Sequence, residues 1–270
     1  MRSRILEDTP LSERIGFRTA GYRNAPIEEA IRSIADIGYD GVELCLEHPD
    51  LAPESLTDAR CEELVAITSD LGLEVATVSY HGDRDPLELR WERALRAIDL
   101  TPVFGCDVLI INSPRPDPEA PADLEAQFHR QLAAQIERAE AAGVTLALEP
   151  EPGLLVHGCA DTRALIDRMG SPALALNLDI GHAFLTEDDL SGAIAMLGEH
   201  IVAAHFEDIA GGVHRHLLPG TGEMDLPRVL VDLRAAGFAG WLTVDLFDIA
   251  DAPDEAARAS LEYMRRLVAG

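Results

Sequence analysis

The sequence predicts an α/β protein that folds as one (β/α)8 barrel, the TIM-barrel architecture, and three observations predict it. Eight short apolar runs alternate with eight segments of helical periodicity along the chain. Continuous apolar strands that alternate with amphipathic helices are typical of a parallel sheet covered by helices. The length of 270 residues agrees with the roughly 250 residues that such a barrel uses as a single domain. No linker or low-complexity segment divides the chain, so we expect one domain over residues 1–270.

The predicted strands share short runs of apolar and β-branched residues, the composition that favours a buried strand. In chain order they cover residues 15–17, 41–46, 73–80, 107–111, 144–148, 174–178, 201–204 and 241–244. An open doubly wound sheet is the alternative arrangement. No G-x-G-x-x-G motif follows the first strand, which weakens a dinucleotide-binding version of that alternative.

The predicted helices each follow a strand, and several end at a glycine, which closes a helix in the left-handed conformation. In the first helix Pro26 stands at an early position, and isoleucines recur at helical spacing up to Gly38. The helices cover residues 26–37, 53–71, 86–104, 120–142, 161–169, 187–197, 226–236 and 253–268.

Charge and hydropathy limit the partners of the protein. The formal net charge is −26, with an isoelectric point near 4.5. This overall field repels nucleic acid unless a local basic patch compensates. No run of about 18 apolar residues occurs, so we expect no membrane span. Residues 1–8 contain no apolar stretch long enough for a secretory signal, which predicts a cytoplasmic location.

The chain contains no lysine, since all 22 basic residues are arginine. Schiff-base catalysis through a lysine amine and a Walker-type phosphate loop are therefore excluded. Any carbonyl chemistry must be activated by a metal ion or by arginine and histidine donors.

Titratable side chains stand at the ends of most of the later strands. In a (β/α)8 barrel the active site lies at these carboxyl ends. The strand-end residues are His81, Glu149, Asp179, His205 and Asp245, with His182 one helical turn after Asp179. Carboxylates and imidazoles that face one another without a cation are costly to bury. The three acids and one histidine of strands five to eight form a mixed oxygen and nitrogen set that suits Mn²⁺, Mg²⁺, Co²⁺, Fe²⁺ or Zn²⁺.

The segment 201–216 carries three imidazoles just past a buried strand. We interpret His205 as a metal ligand. His214 and His216 are expected to face the same site, where together with His182 they serve as ligands of a second metal or as substrate contacts.

The motifs of the chain resemble those of the xylose isomerase-like TIM-barrel superfamily, which includes sugar phosphate isomerases and epimerases. The resemblance covers essentially the whole chain, and its motifs lie at residues 38–44, 148–150, 178–183, 204–208, 218–225 and 242–245. It implies that Glu149, Asp179, His205 and Asp245 are the metal ligands. The last of these is usually glutamate in the family, and aspartate is shorter by one methylene. The resemblance also implies that His182 and Arg215 contact substrate, and it makes a homo-oligomer plausible.

The leading hypothesis is a divalent-metal-dependent isomerase or epimerase that acts on a sugar or a sugar-like keto-polyol. The metal, most simply Mn²⁺, would polarise the carbonyl and the adjacent hydroxyl of this small polyhydroxy carbonyl substrate. Glu149 and Asp245 would then exchange a proton with the carbon between these groups, through a metal-bound enediolate. Arg215 is a candidate anion contact, and Glu43, which we place near the end of strand two, is interpreted as a partner of substrate hydroxyls or as a solvated side chain.

Three other functions stay open at this stage. A dehydratase of an inosose-like keto-polyol would form the same intermediate and expel a hydroxyl, with His81 as its acid or as a simple sugar contact. An endonuclease IV-like multinuclear metal hydrolase would use the histidines of the 214–216 segment, but Asn112 stands where that family has a histidine. A barrel that binds a metabolite without catalysis is the third.

Overall fold

The chain forms a closed barrel of eight parallel strands. A computed structural model describes residues 13–116, 118–249 and 251–270, so the predictions for residues 1–8 lie outside the described residues. The strands follow one another around the barrel in chain order, and β1 pairs in parallel with both β2 and β8. This closure confirms the (β/α)8 prediction and excludes the open sheet. The strands are β1 (Ile15–Arg18), β2 (Gly41–Cys45), β3 (Glu74–Ser79), β4 (Val108–Asn112), β5 (Thr145–Glu149), β6 (Leu174–Asp179), β7 (Ile201–Phe206) and β8 (Leu242–Val244).

Helices follow the strands and cover the outside of the barrel. In the described part of the chain the α-helices are α1 (Ile27–Ile37), α2 (Asp58–Asp70), α3 (Leu87–Leu100), α4 (Leu124–Ala142), α5 (Cys159–Met169), α6 (Ile180–Thr186), α7 (Leu190–Leu197), α8 (Leu226–Ala235) and α9 (Pro253–Ala269). None of these helices is long and apolar enough to cross a membrane.

Four helix predictions need correction. The helix predicted over 86–104 ends at Leu100. The predicted helix from residue 53 starts at Asp58, because the Thr57 hydroxyl caps it by accepting from the Arg60 N–H. The predicted helix from residue 120 starts at Leu124. The helix predicted over 187–197 starts at Leu190, and the separate short helix α6 was missed.

The interior of the barrel has an apolar layer below a polar one. Because side chains alternate along a strand, residues two apart share a face. Ile110, Ala147 and Ala203 form a small buried cluster. Two residues further along the same strands stand Asn112, Glu149 and His205. The alternation therefore places a ring of polar side chains above this apolar cluster, at the carboxyl end of the barrel.

Candidate active site

The four predicted metal ligands converge on one point. The Nδ1 atom of His205 lies 3.3 Å from Glu149 Oε2, 3.8 Å from Asp179 Oδ2 and 3.7 Å from Asp245 Oδ2. Each of the four residues is at most 1% exposed. These residues lie on β5, β6 and β7 and just after β8. The closure of the barrel therefore brings together residues that are distant in the sequence.

Glu43 fixes the orientation of the His205 ring through a hydrogen bond to its Nε2 atom. The Nε2–H of His205 donates to Glu43 Oε2 at 2.9 Å, and the Thr77 hydroxyl donates to the same oxygen at 2.6 Å. Nδ1 is thereby turned towards the three other ligands. Glu43 is completely buried and does not line the cavity above the site. The burial of Glu43 corrects the alternative that its side chain is solvated. A contact between Glu43 and substrate stays a prediction.

Unpaired atoms at the centre fit a cation. Asp179 Oδ2, His205 Nδ1 and Asp245 Oδ1 are buried and have no hydrogen-bond partner among the described residues. Buried polar atoms are nearly always paired. Three lone pairs that converge on one buried point therefore suit a bound cation. Burial would lower the pKa of His205, but Glu43 and Glu149 raise it well above its usual value. A metal ion that bound at this point would have to displace a proton from Nδ1.

Arg18 links the end of β1 to this centre. Its Nη1 donates to Asp245 Oδ2 at 2.9 Å, and its Nε lies 3.0 Å from Glu43 Oε1. Burial would raise the pKa of Asp245, but Arg18 and the neighbouring histidines lower it to about 2. Asp245 is therefore ionised at neutral pH, and one of its oxygens is held in place by the guanidinium.

A cavity of about 410 Å³ opens above the four ligands. His81 lines it, is 7% exposed and has no hydrogen-bond partner for Nε2 among the described residues. That atom lies 3.6 Å from Glu149 Oε2. Burial would lower the pKa of His81, but Glu149 raises it to about 9. Arg215, by contrast, is exposed and does not line the cavity.

The three remaining predicted histidines form a cluster on one side of the cavity. The ring centroids of His182, His214 and His216 lie 4.6 to 5.6 Å apart. The Nδ1 atoms of His182 and His216 donate to the backbone carbonyls of Pro150 and Asp245. The two Nε2 atoms lie 3.4 Å apart. When both rings are neutral and keep the proton on Nδ1, both Nε2 atoms offer lone pairs to a shared cation.

The family of the chain follows from a comparison with known proteins. A family model described as the xylose isomerase-like TIM barrel matches residues 31–267. The chain belongs to this family. The resemblance inferred from the sequence motifs is therefore confirmed.

Relatives in this family are epimerases and dehydratases. The chain is 25% identical over 268 residues to a fructoselysine 3-epimerase of Shigella flexneri, an alignment that covers 94% of this chain and 97% of that protein. It is 30% identical over 240 residues to a 3-dehydroshikimate dehydratase of Pseudomonas aeruginosa, covering 82% of this chain but 36% of that protein. Among solved structures, an L-ribulose 3-epimerase superposes with a TM-score of 0.78 at 24% identity, covering 95% and 94% of the two chains.

Within the xylose isomerase-like barrel, one buried acid of the candidate site was not predicted from the sequence. Glu207 is completely buried, accepts from the Gly181 N–H at 2.5 Å, and has no partner for Oε2 among the described residues. Burial and the neighbouring Asp179 raise its pKa well above the usual range, which favours the protonated form of Glu207. The signal was available, because Glu207 stands two residues after His205 and so continues the inward face of β7.

Proposed function

We propose that this protein is a divalent-metal-dependent epimerase or isomerase of a sugar or sugar-like keto-polyol. One observation carries the proposal. Two carboxylates, Glu149 from β5 and Asp245 from the end of β8, approach the same Nδ1 atom of His205 from different strands. Epimerisation requires a proton to leave one face of a carbon and to return on the other, which needs two such groups. The epimerases among the relatives support this assignment.

Glu149, Asp179, His205 and Asp245 would hold the metal, and we expect Mn²⁺ because three of the four ligands are carboxylates. A divalent cation supplies Lewis-acid polarisation of a carbonyl and an adjacent hydroxyl, which acidifies the C–H between them.

The protein side chains move the proton. Glu149 is positioned by Asn177, whose amide donates to Oε2 at 2.7 Å, and is the base on one face of the substrate. Asp245 keeps Oδ1 free while Arg18 holds Oδ2, so it acts on the other face. Return of the proton to the opposite face of the enediolate gives the epimer, and return to the neighbouring carbon gives the isomer.

Dehydration is the second candidate, and His81 favours it. Its buried, unpaired Nε2 is placed to donate a proton to a leaving hydroxyl above Glu149. The similarity to a 3-dehydroshikimate dehydratase supports the same outcome. Mass spectrometry separates the two, because dehydration releases one water from the substrate and epimerisation leaves the mass unchanged.

A multinuclear hydrolase acting on nucleic acid has less support. Asn112 offers no imidazole and is engaged by Arg90, Asp83 and Glu151. The net charge of −26 also opposes binding to a polyanion. We propose instead that the His182–His214–His216 cluster contacts substrate and takes a second ion when zinc is supplied. We still predict that the enzyme is cytoplasmic and independent of membranes. Its assembly into a homo-oligomer also stays a prediction.

Hydrogen exchange at carbon tests the proposed function. Manganese-loaded protein is incubated with a panel of ketoses in D₂O, and deuterium entry beside the carbonyl is followed by NMR. We expect exchange in the wild type and its loss in Glu149→Gln, whereas Glu137→Gln, an exposed site on α4, keeps wild-type exchange. Absence of exchange with every ketose, in protein shown to retain its metal, would contradict the proposal.

A further inference from the structure

Glu47, two residues after the end of β2, lies in the wall of the cavity above the metal-binding residues. Its Oε1 atom accepts two backbone hydrogen bonds, from the His81 N–H at 2.7 Å and from the Gly82 N–H at 2.5 Å. Two donors use both lone pairs of this oxygen. The connection between β3 and α3 therefore sets the direction of the carboxylate and holds its other oxygen, Oε2, in place.

The Oε2 atom of Glu47 keeps capacity for a further donor. The Cys45 thiol, a weak donor, approaches it at 3.3 Å, and Arg18 Nη2 lies 3.8 Å away, beyond hydrogen-bond distance. Arg18 makes its closer contacts with Asp245 and Glu43, at 2.9 and 3.0 Å. Since Cys45 and Arg18 both line the cavity, Oε2 lies at the cavity wall with one lone pair open.

The position of Glu47 around the barrel is across the mouth from the metal-binding residues. The strands follow one another in chain order, so β2 faces β6 and lies nearly opposite β5. Glu149 and Asp179 end β5 and β6, and Glu149 and Glu47 line the same cavity of about 410 Å³. A substrate whose carbonyl lies at Glu149 therefore presents its remote part to Glu47.

A fixed carboxylate oxygen with an open lone pair binds a group that donates a proton. The proposed substrate is a keto-polyol, and its donors beyond the carbonyl are hydroxyl groups. An analogue that lacks the hydroxyl at this point offers no donor to Oε2. It therefore forfeits a hydrogen bond to a charged group, which is stronger than one between neutral groups.

We infer that Glu47 is a specificity-determining residue that accepts a hydrogen bond from a free hydroxyl of the substrate, on the part remote from its carbonyl. Its Oε1 atom holds the backbone of His81 and Gly82, and its Oε2 atom binds the hydroxyl. This inference rests on the proposed function, since it takes Glu149 as the position of the chemistry.

Replacing Glu47 by glutamine separates the roles of the two oxygens. The amide oxygen of glutamine can still accept from the His81 and Gly82 N–H groups, whereas the NH₂ group in place of Oε2 carries no charge and donates. We therefore expect Glu47→Gln to retain the manganese content of the wild type. Glu92→Gln, at an exposed acid on α3 outside the cavity, is the matched control.

Calorimetric titration of the manganese-loaded full chain uses D-fructose and its 4-deoxy, 5-deoxy and 6-deoxy analogues. We expect D-fructose to bind Glu47→Gln about tenfold more weakly than the wild type, because a charge-assisted hydrogen bond is lost, and to bind Glu92→Gln as the wild type. One deoxy analogue should bind the wild type about as weakly as D-fructose binds Glu47→Gln. Replacing Glu47 should not weaken the binding of that analogue further.

Two outcomes would overturn the inference while leaving the proposed function in place. One is an affinity for D-fructose that Glu47→Gln does not change. The other is an equal loss for D-fructose and all three analogues, which would mean that Glu47 acts only through the backbone of His81 and Gly82. If D-fructose does not bind the wild type the inference fails as well, and hydrogen exchange of the other ketoses in D₂O then decides the proposed function separately.

Discussion

His205 depends on Glu43 for the direction in which its lone pair points. Glu43 accepts the Nε2 proton of His205, so Nδ1 faces Glu149, Asp179 and Asp245. Partners of this kind typically change metal affinity roughly 10- to 100-fold when they are removed. We predict a loss of that size in Mn²⁺ affinity for Glu43→Gln, measured by calorimetric titration. Glu62→Gln on the exposed face of α2 is the control, and equal affinities in both variants would refute the role.

Glu207 provides a test of protonation among the polar side chains at the carboxyl end of the barrel. Burial and Asp179 raise its pKa well above the usual range. A protonated glutamate and a glutamine have the same shape and similar donors. We predict that Glu207→Gln keeps the Mn²⁺ affinity, whereas Glu207→Ala leaves the buried Gly181 N–H unpaired and lowers the free energy of unfolding by about 2 kcal/mol. Loss of metal binding in Glu207→Gln would mean that Glu207 is an ionised ligand.

At the scale of elements, Asp208 holds the long connection between β7 and α8. Its Oδ1 accepts from the backbone N–H groups of Ile209 and Met224, and its Oδ2 accepts from those of Gly220 and Gly222. A Cβ atom at position 222 would overlap Asp208 Oδ1, which explains the glycine there. One carboxylate thereby closes the loop that carries His214 and His216.

Replacing this carboxylate should release the loop. Asp208→Asn turns one acceptor oxygen into a donor that faces two N–H groups, so we predict a loss of about 3 kcal/mol in the free energy of unfolding. Urea denaturation measures it. Asp225→Asn is the matched control, because Asp225 caps α8 and asparagine caps equally well. Equal stabilities of the two variants would show that Asp208 does not hold the loop.

The histidine cluster should distinguish metals by their ligand preference. Zn²⁺ accepts imidazole nitrogen readily, whereas Mn²⁺ prefers oxygen. Burial and the two neighbouring imidazoles lower the pKa of His214 to about 4, so its ring is neutral and able to bind metal at pH 7. We predict two zinc ions per chain but one manganese ion, with His214→Ala losing only the second zinc. Elemental analysis measures both, and equal stoichiometry for the two metals would contradict the prediction.

For the whole molecule, the fold class alone located most of the candidate site. Parallel strands in a closed barrel end at the same mouth, so Glu149, Asp179, His205 and Asp245 could be grouped from their positions in the sequence. The pairing of Arg18 with Asp245 could not be predicted from the sequence, because it joins residues 227 positions apart across the junction of β1 and β8.

Other features depended on packing that a sequence pattern does not report. Glu43 stands near the end of its strand, as Glu149 and Asp179 do. Only the structure shows that its side chain is buried and accepts a hydrogen bond from His205. The short helix α6 begins where Asp179 accepts from the His182 N–H and Glu207 accepts from the Gly181 N–H. The start of α6 is therefore set by a tertiary contact in addition to its local cap. The helix has only 7 residues, so its helical periodicity is too short to predict it from the sequence.

The manganese content of the purified chain, after loading and removal of free metal, tests the proposed metal centre directly. We predict one Mn²⁺ per chain in the wild type and in Glu137→Gln, and none in Asp179→Asn, whose circular dichroism spectrum should be unchanged. A wild-type chain that retains no manganese, or an Asp179→Asn chain that retains it fully, would contradict the claim that the four strand-end residues form a metal centre.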